Sequence, residues 1–102
     1  MLQRDFYRET ERELIIQSVR AEGFHPLCIS APPGRVYAPH SHAETKLLVF
    51  LKGGMRVTVA GEDYQCDAGD RLVIQGNVEH SAVAGPEGCV FLWSERLEKP
   101  SS

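Results

Sequence analysis

Residues 34–54 read GRVYAPHSHAETKLLVFLKGG, and this stretch decides what kind of fold the chain adopts. Tyr37–His42 and Leu47–Leu51 are short segments rich in aromatic, aliphatic and β-branched residues, set between Gly34 and Gly53-Gly54. Such punctuation suits strands separated by reversals. Moving outward, the same pattern recurs in Leu27–Ala31, Met55–Ala60, Asp63–Cys66, Arg71–Gln75, Ser81–Ala84 and Val90–Ser94. Between them lie Pro32-Pro33-Gly34, Gly61-Glu62, Ala68-Gly69-Asp70, Gly76-Asn77 and Gly85-Pro86-Glu87-Gly88, residues that tolerate the backbone angles of turns. Met55, Val57 and Val59 alternate with Arg56, Thr58 and Ala60, as a strand with one inward face requires. About eight short strands in roughly 75 residues predict an all-β barrel or jelly roll.

Only the N-terminal side departs from this pattern. Thr10-Glu11-Arg12-Glu13 is a capping-box sequence, Leu14, Ile15, Ser18 and Val19 fall on one helical stripe, and Gly23 stands where a left-handed helix end wants glycine. The expected organisation is an arm and helix over 1–23, a barrel over 24–97 and a frayed tail over 98–102.

The chain has 102 residues, 42% of them hydrophobic, enough for one core and too few for two domains. Eleven basic against fourteen acidic residues, a net charge of −3 and no basic cluster argue against a nucleic-acid partner. The polar opening MLQRDFYRET and the brevity of the apolar runs argue against a signal core or membrane span. A cytoplasmic protein is expected. Cys28, Cys66 and Cys89 are odd in number and widely spaced, which predicts reduced thiols buried as small hydrophobes on strands.

His40 and His42 lie one residue apart on a predicted strand, so their side chains share a face. His80 follows the Gly76-Asn77 turn, and antiparallel closure brings it beside them. Neutral imidazoles that converge in this way are ligands for iron, zinc, nickel or copper. His25, before Pro26, reads as a surface histidine. Tyr37, three residues before His40, is expected on the opposite face. Trp93 lies in an apolar run that suits core or an interface, Arg35, Arg56 and Arg71 read as solvated, and Asp70 reads as a turn former.

The run from Gly34 through His40-Ser41-His42 to Gly53 resembles the first motif of the cupin family, G-x5-H-x-H-x3/4-E-x6-G. Gly69 through His80 is similar to the second, G-x5-P-x-G-x2-H-x3-N, with the opening glycine and the histidine in register. The resemblance covers about residues 27–94 and implies a double-stranded β-helix, or jelly-roll cupin barrel, with one short N-terminal helix. It also implies a divalent transition metal (iron, zinc, nickel or manganese) on His40, His42 and His80, a small polar or anionic ligand in the barrel mouth, and a homodimer paired through a sheet edge.

Four departures stand against this pattern: Gln75 for proline, Asn77 for glycine, Ala84 for asparagine, and Lys46 for the glutamate that usually binds the metal. Asparagine tolerates positive φ, so Asn77 can hold the same bend. For Lys46 three readings stand: it points outward and leaves a three-histidine site, Glu44 supplies the carboxylate instead, or the metal is lost and Lys46 holds an anion. Gln75 is expected at the mouth. The family includes oxygenases, isomerases, lyases and plain binding domains, so the resemblance leaves open whether this chain is an enzyme and assigns no catalytic residue.

Overall fold

Period-two alternation on a chain punctuated by glycine builds antiparallel sheet. The computed structural model, which describes residues 2–7 and 11–96, contains β1 (Leu2–Gln3), α1 (Arg12–Ala21), β2 (His25–Ala31), β3 (Val36–His40), β4 (Thr45–Val59), β5 (Glu62–Asp67), β6 (Arg71–Ile74) and β7 (His80–Arg96). The path of paired strands is β1-β6-β4-β7-β2, with β3 added on β7 and β5 on β4. The long strands β4 and β7 pair along their whole length, and each crosses from one layer into the other. The N-terminal half of β4 carries β6, its C-terminal half carries β5, and β2 and β3 flank the two halves of β7. This is an all-β jelly roll with one short helix.

Two expected reversals are instead bends inside strands. Leu47–Leu51 and Met55–Val59 lie in the two halves of β4, with Ala60 in the turn beyond, and Ser81–Ala84 and Val90–Ser94 lie in the two halves of β7. The bend in β4 coincides with register shifts between Phe50 and Lys52 and between Gly53 and Met55. Gly53 (φ 76°) lies so close to the other long strand that an added Cβ would stand 2.2 Å from the Gly88 carbonyl oxygen. Glycine there lets the two ribbons fold over without breaking their ladder. Ala60 and Gly61, both at positive φ, form the tight reversal between β4 and β5, where Val59 pairs with Glu62. Asn77 takes φ 67°, as expected of a residue replacing glycine.

Alternation separates two faces within each half of β4, and the irregular bend between Phe50 and Met55 switches the inward set from even to odd positions. Leu48, Phe50, Met55 and Val57 join Leu72, Ile74 and Phe91 in the barrel interior. Leu47 and Val49 face outward with Leu92 and are covered by Ile15 and Val19 of α1, together with Phe24 and Tyr7. The helix buries a narrower stripe than expected: Leu14 and Ser18 are exposed, and the i,i+4 pair Ile15 and Val19 makes the contact. Its N-cap is Glu11, without a side-chain cap bond. Thr10 of the capping box and the 98–102 tail lie outside the described residues. Gly23 closes the helix at φ 89°.

Arg71 is not solvated. It is buried, donates two bonds to the Glu22 carboxylate (2.7 and 3.0 Å) and one to the Tyr7 hydroxyl (3.2 Å), and lies 4.6 Å from the Phe6 ring centre. Its partners stand far away in sequence, and they fasten the helix end and the N-terminal arm to β6. Asp70 is a turn former, as expected, accepting from the Asp67 N–H (2.9 Å) and also from Asp5 (2.7 Å). No described helix is long and apolar enough to cross a membrane.

Cys66 and Cys89 are buried free thiols, and burial pushes them up to about 12 and about 11. Cys28, expected in the core, is exposed on β2. A thiol reagent at neutral pH is therefore expected to modify one cysteine quickly in the native protein and the other two only after denaturation, because the thiolate is the reacting species. Peptide mapping that finds Cys66 or Cys89 labelled as fast as Cys28 would contradict this burial.

Candidate metal centre

His40 ends β3 and stands directly across from His80, which begins β7. His42 lies two residues beyond His40, outside the strand, where its carbonyl accepts the Asn77 N–H at 2.6 Å. That bond and the Gly76 turn draw the two histidine segments together. The ring centres are 4.4 Å apart for His40 and His80, 4.6 Å for His40 and His42, and 5.4 Å for His42 and His80. One nitrogen from each ring lies within 4.8 Å of the others.

Hydrogen bonds fix the rings. His80 Nδ1 lies 3.0 Å from the Val78 carbonyl and His40 Nδ1 lies 2.5 Å from that of Ala38. With Nδ1–H donating, a tautomer assigned from these bonds, Nε2 of each ring presents its lone pair. Nε2 of His42 and of His80 are buried and have no hydrogen-bond partner. A buried polar atom left unpaired costs about 1–3 kcal/mol, and a cation shared among the rings removes that cost. Burial first, then the positive charges of Lys46 and the neighbouring histidines, holds His42 below the usual imidazole range. Burial does the same for His80. Neutral imidazole is the form that binds metal, so the residues present fit a divalent transition metal.

The histidines open into a cavity of about 270 Å³ between the layers, lined also by Tyr37, Leu48, Met55, Ser81, Phe91 and Trp93. Tyr37 shares this cavity with His40, contrary to the expectation of opposite faces, because the pairing with β7 slips between Tyr37 and His40 and reverses the alternation. Trp93 is likewise a wall of the site rather than plain core, with its ring 5.9 Å from His42 and 6.4 Å from His80. Its position could have been read from parity with Phe91, once both were placed on one strand.

Lys46 does not point to solvent. It shares the inward parity of Leu48, is buried, and ion-pairs with Glu95, its direct cross-strand partner. Its Nζ lies 5.2 Å from the centre of the Trp93 ring. The ion pair holds the half-exposed Glu95 carboxyl below the usual carboxylate range. Among the described residues, Glu44 lies outside the three-histidine group and no acidic side chain lines the cavity. Gln75 is exposed and does not line it. His25 is exposed at the start of β2, as expected.

Comparison with known proteins fits this geometry. The family model for the cupin domain matches residues 28–95. The dimethylsulfoniopropionate lyase DddW of Ruegeria pomeroyi is 39% identical over 61 residues, which are 60% of this chain and 40% of that protein, so the chain spans about two-fifths of that relative. A cupin protein from Bacteroides fragilis superposes with a TM-score of 0.65 at 23% identity, over 85% of this chain and 80% of its own. A chain from the structures of the DMSP lyases RdDddP and RnDddQII superposes with a TM-score of 0.67 at 17% identity, over 72% of this chain and 38% of its own.

Proposed function

Because this chain belongs to the cupin domain family, we propose that it binds one divalent transition metal through Nε2 of His40, His42 and His80 and uses it to hold a small carboxylate for lyase chemistry. The carrying observation is the pair of buried, unpartnered Nε2 atoms aimed into a common space. Three neutral imidazoles leave the ion's charge uncompensated, which favours an anionic ligand. A bound ion supplies Lewis acidity to a carboxylate oxygen.

The lyase reading is supported by the curated relative over the shared region. For a β-sulfonio carboxylate, elimination removes the proton beside the carboxylate and breaks the carbon–sulfur bond with both electrons going to sulfur. The products are an unsaturated carboxylate, a thioether and a proton. The cavity suits such a molecule: Met55, Val57 and Phe91 surround its apolar part, while the Tyr37 phenol, which is not a metal ligand, is its proton-handling group. The same reading includes a homodimer in the cytoplasm. Strand β2 ends the path of paired strands and carries Leu27 at 62% exposure, the kind of edge that a partner covers.

Protein reconstituted separately with iron, zinc, nickel and manganese is expected to retain about one equivalent of at least one of them, and to release dimethyl sulfide from dimethylsulfoniopropionate in a headspace assay. Retention of less than about a tenth of an equivalent of every metal sinks the metal centre. Full loading with no product sinks the lyase step. A second reading, a ligand-binding cupin without turnover, is favoured by Lys46 standing where the resemblance expects a glutamate and by the lack, among the described residues, of an acid in the cavity wall. It predicts saturable propionate binding by loaded protein without product.

A further inference from the structure

We propose that Lys46 sets the charge preference of this centre, making the loaded cavity select anions through its field, and that Glu95 moderates that selection. The inference rests on the metal-binding reading above and adds to it the residue that determines ligand charge.

Lys46 faces the interior with Leu48, a cavity-wall residue, yet its ammonium does not enter the cavity. Trp93 is near both groups: the Lys46 ammonium lies 5.2 Å from its ring centre, and the His42 and His80 rings lie 5.9 and 6.4 Å from it. The ammonium therefore shares the Trp93 ring as a neighbour with the imidazoles while standing outside the residues that line the cavity, within electrostatic reach of the site. The Lys46 side chain is 5% exposed, so its field is poorly screened, whereas Glu95 is 42% exposed and its compensation leaks into water. The Lys46–Glu95 pair is thus lopsided, with a residual positive field on the cavity side.

A carboxylate at the position of Lys46 would place a negative charge beside the ion and lower the pull on incoming anions. The ammonium does the reverse: an ion on three neutral ligands keeps its full charge, and Lys46 adds to it. Neutral donors gain nothing from this field. Selection by charge without contact has a signature that a packing role for the Lys46–Trp93 stack lacks, because removing either partner of the ion pair must move anion affinity in opposite directions.

The test uses protein loaded with cobalt(II), whose visible spectrum reports inner-sphere ligands, titrated with propionate and with neutral imidazole. Lys46→Met is expected to weaken propionate binding about tenfold, and Glu95→Gln to strengthen it about threefold. Imidazole affinity is expected to stay within about twofold in both. Lys46→Arg, which keeps the charge, is expected to behave as wild type. If Lys46→Met does not fold, the Glu95→Gln and Lys46→Arg arms still decide. Equal changes for propionate and imidazole, or weaker propionate binding in Glu95→Gln, overturn the proposal and leave the metal centre standing. Failure of the wild type to load cobalt overturns both.

Discussion

His42→Leu is expected to lose its metal, falling from about one equivalent to below about a tenth, while the metal-free protein becomes harder to melt. The two effects have one cause. His42 Nε2 is buried without a partner, and its ring sits against Trp93 and the other two histidines. In the metal-free protein that nitrogen has exchanged water for nothing, and replacing the ring by an apolar side chain removes about 1–3 kcal/mol of uncompensated desolvation. For a domain of this size such a gain raises the melting temperature by several degrees, at about 4–8 °C per kcal/mol. Elemental analysis beside differential scanning calorimetry on chelator-treated protein checks both halves. A variant that keeps its metal, or one that melts well below metal-free wild type, would show that His42 is a structural residue.

Gly76→Ala is expected to damage fold and site together. A Cβ at Gly76 would stand 2.3 Å from the Ala43 carbonyl oxygen, a backbone atom that cannot step aside alone. The adjoining Asn77 N–H holds the His42 carbonyl, so the strain falls on the contact that joins the His42 segment to the approach to His80. Overpacking of this kind costs about 1–3 kcal/mol, and metal affinity measured by chelator competition is expected to fall at least about tenfold because the ligands are spread. Gly61→Asn is the control. Its φ of +84° is tolerated by asparagine and an added Cβ meets nothing within 4 Å, so the metal constant should stay put. Equal loss of affinity in both variants would mean that general instability, and not this contact, governs the site.

The three histidines are legible because the one-residue spacing of His40 and His42 and the Gly76-Asn77 turn before His80 are local signals, although His42 lies beyond the end of β3 and not on it. What escaped was set by distant partners. Arg71 read as solvated because nothing near it in sequence reveals Glu22 and Tyr7 closing over it. Sequence alone leaves three readings of Lys46 open, one of them outward-pointing, because its partner Glu95 is supplied by the far end of β7. Tyr37 is expected on the wrong face because a slip in pairing reverses parity, and the one local sign of it is Pro39, which cannot donate to the ladder and sits where the register shifts. Gly53-Gly54 and Gly85–Gly88 looked like reversals because glycine serves bends and turns alike, and only the close crossing of β4 over β7 decides between them.

That crossing also bears on the order in which the chain organises itself. The β4–β7 ladder joins residues 59 and 80 at one end and residues 45 and 96 at the other. Ring-closure entropy rises with the length of chain enclosed, so closing this ladder costs least at Val59 and His80, where the loop encloses β5 and β6, and more at each pair farther out. The histidine end of the barrel is therefore assembled from the shortest-range contacts of this ladder. The end that docks the helix rests on the longest, so the entropic cost of ordering the outer cover exceeds that of bringing the candidate ligand end of the ladder together.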